Sequence, residues 1–287
     1  MTNCFFATDL HGRVERYNKL FSHILSEEPE AVFLGGDLLP SGLFSLATNE
    51  TVVNDFIKDF LLSEFIRLKK NMGNRYPRIF LILGNDDSKI NEKDFIDGQQ
   101  SGIWDYIHNK KTKFKDFNIY GYSYVPPTPF QLKDWEKYDV SRFTDPGCVS
   151  PEDGWHSIDV PKYELRNSTI EKDLKTLAED NDLTNSIFLF HTPPYKTNLD
   201  RAALDGKMVE HVPLDVHVGS IAVKRFIEKN QPTITLHGHV HESAKLTGTW
   251  KDRIGETHLF TAAHDGPELS LVRFDKNHPG ESTRELI

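Results

Sequence analysis

The chain has few cysteines, no long apolar run and no basic cluster, and each shortage closes a class of function. Its two cysteines, Cys4 and Cys148, stand in unlike contexts with no C-x-x-C spacing. This excludes a disulfide framework and a thiolate metal site, and both residues are expected to be reduced. The longest apolar stretches, such as Ile79 to Leu83, fall far short of the ~20 residues a membrane-spanning helix needs. No membrane contact is expected. The opening residues Met1 to Asp9 have no basic segment ahead of an apolar one, so they do not read as a secretory signal, and a cytoplasmic location is expected. Lys and Arg number 34 against 43 Asp and Glu, a formal charge of −9, and no basic stripe offers itself to a polyanion. Long nucleic acid is not expected as a partner. There is no internal repeat of fixed period.

What is present is the make-up of an ordinary globule, with 38% hydrophobic and 27% charged residues over a length of 287. That length admits one or two domains. Eight β-rich runs are visible: Cys4 to Thr8, Ala31 to Leu34, Arg78 to Leu83, Asn118 to Tyr124, Ser186 to Phe190, Thr233 to Leu236, His258 to Ala262 and Leu269 to Phe274. Helical spacing of apolar residues marks 13–27, Val52 to Leu68, and a segment after the capping-box pattern Ser168-Thr169-Ile170-Glu171. A further helix is predicted from Ser220, and Lys245 to Ala262 reads as a hairpin. Strand and helix in alternation mean an α/β fold. From Val125 to Arg166 the rhythm stops. That excursion carries six prolines and several aromatics without a period, and is expected to pack its own rings and to form one wall of a substrate cleft. Leu38 to Glu50 is the other stretch expected to wall the cleft.

Five of the strands run directly into polar clusters: Asp9-Leu10-His11-Gly12, Gly35-Gly36-Asp37, Gly84-Asn85-Asp86-Asp87, His191-Thr192-Pro193-Pro194 and Gly238-His239-Val240-His241-Glu242. Open α/β sheets bind ligands beyond the carboxyl ends of their strands, so five clusters at equivalent places converge on one site. Asp9 and His11, like His239 and His241, are two residues apart and point the same way in an extended segment. Seven oxygen and imidazole donors (Asp9, His11, Asp37, Asn85, His191, His239, His241) are too many for one tetrahedral ion. They suit two divalent ions sharing a bridge, and without thiolate they suit Mn, Fe or Zn. Because the donors run from Asp9 to His241, one shared site predicts a single domain over residues 1–287.

In this order, D-x-H, G-D, G-N-x-D, an isolated His and G-H-x-H, the motifs resemble those of the calcineurin-like metallophosphoesterases. The resemblance implies a four-layer α-β-β-α sandwich of two mixed sheets around a dinuclear metal centre. It assigns Asp9, His11, Asp37 and His241 to one ion, and Asp37, Asn85, His191 and His239 to the other, with Asp37 as the bridge. It further implies hydrolysis of a small phosphate ester by attack of a metal-bridging hydroxide. One departure matters. The family's His after the Asn, which binds phosphate and protonates the leaving oxygen, is here Asp86.

The catalytic set expected on this basis is Asp37, Asn85 and Asp86, and the substrate contacts are Asp86, Arg201 and His217. An ionised Asp86 would repel a phosphate dianion, so either its pKa is raised, which lets it act as general acid, or it turns away, and a diester with its single charge is favoured. Arg201 has the geometry for phosphate, and His211 and Tyr195 lie in the same region. His237 is expected to pack or to support the site, and His264-Asp265 to orient a ligand. The alternative readings are a nuclease of the same superfamily and a non-catalytic metal-binding scaffold of the same fold.

Overall fold

A computed structural model describes residues 3–40, 55–179 and 181–287 of the chain. Part of the Leu38 to Glu50 wall and the start of the Val52 helix lie outside them. All eight β-rich runs are strands, within a residue or two at their ends. In chain order the strands are β1 (Asn3–Ala7), β2 (Ala31–Gly35), β3 (Arg78–Ile82), β4 (Asp105–Tyr106), β5 (Lys110–Phe114), β6 (Phe117–Tyr122), β7 (Ser186–Phe190), β8 (Met208–Val209), β9 (Val212–Pro213), β10 (Ile234–His237), β11 (Lys251–Ile254), β12 (Thr257–Thr261), β13 (Ser270–Asp275) and β14 (Thr283–Leu286). One sheet has the order β14-β13-β1-β2-β3-β4 and the other β11-β12-β10-β7-β6-β5, with β8 and β9 forming a separate hairpin. The central pairs β1/β2, β2/β3, β6/β7 and β7/β10 are parallel, while β1/β13 and β5/β6 are antiparallel. Both sheets are mixed, as expected.

Alternation along the strands places the core. Cys4, Phe6, Phe33, Phe80 and Ile82 of the first sheet meet Ile119, Ile187, Leu189, Ile234 and Leu236 of the second in one buried cluster. Their sequence neighbours Phe5, Val32, Leu34 and Leu81 point the other way and pack under helices. A period of two on strands buried on both faces gives near-continuous apolar runs. Burying each large side chain contributes about 1.5–3 kcal/mol.

The helices are α1 (Val14–Glu27), α2 (Ser63–Met72), α3 (Glu92–Gln100), α4 (Lys162–Asn167), α5 (Ile170–Ala178), α6 (Ile221–Asn230) and α7 (Ser243–Thr247). Helix α1 buries Tyr17, Leu20, Phe21 and Ile24 and stops where Glu28 turns left-handed at φ 49°, ahead of Pro29. The Val52 to Leu68 prediction is realised as a π-helical stretch, Phe56–Leu62, running into α2. The capping box is displaced by one residue. Thr169, not Ser168, caps α5 by accepting from Lys172 N, and Ser168 Oγ donates back to Glu164 O of α4. Only the second half of the Lys245 to Ala262 segment is a hairpin (β11/β12). Its start is helix α7, which ends at Gly248 with φ +75°, a left-handed position that suits glycine. No helix among the described residues is long and apolar enough to cross a membrane.

In the 125–166 excursion the aromatics divide. Trp135 and Tyr138 are buried, whereas Phe130, Phe143, Trp155 and Tyr163 are exposed. Its anchor is a fully buried ion pair, Lys133 Nζ to Glu136 Oε2 at 2.5 Å. Lys133 also donates to Thr128 O, and Glu136 accepts from Thr128 N and Oγ1.

Candidate metal centre and its cavity

The carboxyl ends of β1, β2, β3, β7 and β10 bring their polar clusters together at one edge of the paired sheets. The turns that achieve this are conformationally costly. Asp9, His11, Asp37 and His239 all have positive φ, at 55°, 47°, 51° and 73°. For residues with a Cβ this costs on the order of 1–3 kcal/mol each and concentrates at functional sites. The surroundings hold these conformations: Asp9 N donates to Gly36 O, and His11 N to Asp37 O. Glycine supplies the room. At Gly36, with φ +97°, a Cβ would sit 2.7 Å from His191 Nδ1, and at Gly84 it would sit 2.3 Å from Asp37 Oδ1.

Ligand atoms of Asp9, His11, Asp37 and His241 all lie within 4.8 Å of one another. His11 Nε2 and His241 Nε2 face each other at 3.1 Å, and His241 Nε2 lies 3.2 Å from Asp9 Oδ1. A second group adjoins the first. His191 Nε2 lies 3.0 Å from Asn85 Oδ1 and 3.3 Å from Asp37 Oδ2, with the His239 ring 5.4 Å from that of His191. His191 Nδ1 donates to Gly35 O at 2.8 Å. This bond sets the tautomer and leaves Nε2 as the donor atom, the arrangement a ligating histidine needs.

The supporting contacts were less legible. Asp87, fully buried, accepts from Leu38 N, Leu39 N and Gly84 N and so ties the turn after β2 to the turn after β3. The doubled acid after Asn85 was its only signal in the sequence. Arg16 donates to Asp9 O, and nothing in its helix pattern distinguishes it.

The charges fit a cation. Burial tends to raise the Asp9 and Asp37 carboxyls, yet the imidazoles around them hold both below the ordinary range. For His191 burial works downward, but Asp37 and then Asp9 lift it to about 10. His241 is raised by its bond to Asp9 against the same burial. Burial prevails at His11 and His239, lowered to about 4 and about 3. The carboxylates thus draw positive charge towards the imidazoles that face them, a charge that a bound cation would supply in its place. Asp86 is pushed up to about 7 by burial and by the Asp37 charge.

In front of these residues lies a cavity of about 890 Å³, within the range of small-molecule sites. Asp37, Asn85, Asp86, His239 and His241 form its floor, and residues 126–130, 139–141, 143 and 145–148 of the excursion form one wall. Leu204, Val209, Leu214 and His217 close the other side.

A family model for calcineurin-like phosphoesterases matches residues 3–243. The chain belongs to that family. Among solved structures, this calcineurin-like phosphoesterase resembles one at 16% identity and TM-score 0.62, covering 99% of this chain and 98% of that one. A protein of Thermus thermophilus follows at 15% identity and TM-score 0.56, with the same two coverages of 99% and 98%. A dimetal phosphatase from Danio rerio covers 94% of this chain and 91% of its own at 10% identity and TM-score 0.50. At such identities the likeness shows a common fold. A sequence search of curated proteins finds no match.

The phosphoesterase places its predicted substrate residues differently from one another. Asp86 and His217 line the cavity, and so does Tyr195. Arg201 does not. Its guanidinium donates to Ala202 O and Asp205, and its neighbour Ala202 lines the cavity in its stead. His211 is exposed at the tip of the β8/β9 hairpin. His237 stacks on Phe190 and bonds Thr192 O and Thr235 Oγ1, which is packing. His264 pairs with Glu268 rather than with any predicted ligand.

Proposed function

We propose that this phosphoesterase hydrolyses small phosphate esters, phosphodiesters in preference, using two divalent ions of the Mn, Fe or Zn type. One observation carries the reading: Asp37 Oδ2 is shared, lying 3.9 Å from His11 Nε2 and 3.3 Å from His191 Nε2. A carboxylate oxygen between two groups of donors is what a bridged pair requires. Asp9, His11, Asp37 and His241 would hold one ion, and Asp37, Asn85, His191 and His239 the other. Bound there, the ions supply an activated water and positive charge for the phosphoryl oxygens.

The cavity favours a substrate with little negative charge beyond one phosphoryl group. Among the described residues no lysine or arginine lines it, and residues 41–54 contain neither in the sequence. The walls offer Pro126, Val140, Leu214 and Ile221 together with Asp139, Asp145 and Asp215. Additional phosphates would meet no cation, whereas an uncharged organic group on a diester would bury apolar surface. Two unpaired cysteines are consistent with action in the reducing cytoplasm.

The test is a comparison of bis-p-nitrophenyl phosphate with p-nitrophenyl phosphate in the presence of Mn²⁺, Fe²⁺, Zn²⁺ or Mg²⁺. Faster turnover of the diester is expected. A clear preference for the monoester overturns the diester reading, and failure to bind any of the metals overturns the enzyme reading.

A further inference from the structure

We propose that His217 is the acid that protonates the departing alcohol, held in position by Asp200; this rests on the phosphoesterase reading above. Breaking the ester bond leaves an alkoxide or aryloxide that needs a proton, so a donor must face the cavity. The cavity lining supplies few. His239 and His241 are ligand candidates, and Asp86 Oδ2 lies 3.6 Å from Nδ1 of a third, His11. Tyr195 lines the cavity, but its hydroxyl donates to Asp215 Oδ2 at 2.6 Å. Burial pushes the Cys148 thiol up to about 11, a poor donor near neutrality. Among the described residues His217 is the one lining imidazole outside the ligand set.

Its setting is that of an oriented acid. His217 Nδ1 lies 2.9 Å from Asp200 Oδ1, and Asp200 is fully buried. That carboxylate is itself fixed by Lys196 N, Thr197 N and Gly219 N. His217 N donates to Asp215 Oδ1, a backbone bridge joins residue 217 to Arg201, and the Tyr195 ring packs edge-on at 6.1 Å. With Nδ1–H given to Asp200, Nε2 remains to carry a transferable proton. A carboxylate behind an imidazole fixes its tautomer and the orientation of its ring. The step balances: water forms the new P–O bond and gives up a proton to solvent, the P–O bond to the alcohol breaks with its electron pair going to the alcohol oxygen, and that oxygen takes the proton from Nε2. Solvent then reprotonates the imidazole.

A staple that merely holds the loop would look alike in the structure, so the experiment must separate the two roles. Ethyl p-nitrophenyl phosphate loses a stable phenolate that needs no proton, while ethyl phenyl phosphate loses a basic one. His217→Asn keeps a donor for Asp200 and removes Nε2. With the metal-loaded variant, turnover of the phenyl ester is expected to fall about 100- to 1,000-fold, within the usual span for a general acid, and turnover of the p-nitrophenyl ester less than about 10-fold. His217→Ala should behave likewise and regain phenyl-ester turnover when imidazole is added. Equal losses on both esters, or none on the phenyl ester, overturn the assignment while leaving the phosphoesterase reading intact. If the wild type turns over neither ester with any metal, the underlying reading falls, and His217's role with it.

Discussion

Nε2 of His11 and Nε2 of His241 lie 3.1 Å apart, although 230 positions separate them in the chain. Two imidazole nitrogens at that distance can share one proton or one cation, and the adjoining Asp9 and Asp37 favour the cation. The remaining contacts of the site follow from keeping this convergence in place.

Asp37 is where the two ligand groups meet. Asp37→Asn removes a negative charge facing both His11 and His191, and is expected to weaken metal binding beyond the roughly 10–100-fold typical of losing a supporting partner. Metal content after dialysis, measured with turnover, checks it. Chelation of the wild type should abolish activity, and returning the metal should restore it.

Gly84 tests the packing behind the site. A Cβ there would approach Asp37 Oδ1 to 2.3 Å and His191 Cε1 to 2.6 Å. Gly84→Ala must therefore displace a ligand. We expect a stability loss of about 1–3 kcal/mol with a larger proportional loss of metal, read by thermal unfolding with and without Mn²⁺.

The Lys133–Glu136 pair anchors the cavity wall through Thr128. Burial lowers the Lys133 ammonium pKa and raises that of the Glu136 carboxyl, so neither tolerates the loss of its partner. Lys133→Met leaves a buried carboxylate uncompensated, at a cost of about 3–5 kcal/mol. The double variant Lys133→Met/Glu136→Leu should recover part of that loss. In the single variant KM should rise more than kcat falls, because the excursion lines the cavity and contributes none of the proposed ligands.

His108, which is not among the proposed metal donors, provides a pH-dependent contribution to stability. Its ring packs against Tyr124 and Trp135. Burial, and then the charges of Lys89, Lys137 and Lys110, hold it well below its ordinary 6.5. Below pH 6.5 the unfolded chain binds a proton that the folded chain refuses, so this contribution is complete above 6.5 and lost as pH falls. The slope should approach about 1.4 kcal/mol per pH unit. Denaturant midpoints from pH 7 to 5 should show it, and His108→Leu should flatten it whatever its effect on absolute stability.

Much of this was legible in the linear sequence. Short β-rich apolar runs located the eight principal strands, and polar residues immediately after five of them named the ligand candidates, because a strand end at a sheet edge leaves side chains nowhere to go but the crevice. The short strands β4, β8 and β9, the polar edge strand β5 and helix α3 gave no such signal, since pairing rather than apolar pattern defines them. Arg201 was misread because its fork met a carbonyl and a carboxylate closer at hand than the cavity.

By itself, then, the sequence determined the α/β class, the donor types and the order in which they occur. Only the tertiary structure decided that His217 rather than Arg201 faces the cavity, and that Asp200 stands behind it. It also decided that the excursion forms a wall and that four of the ligand candidates hold left-handed backbone. Strand periodicity is local and survives in one dimension. Which long-range pairs meet, and which strained turns are held, depends on packing between sheets that no local pattern encodes.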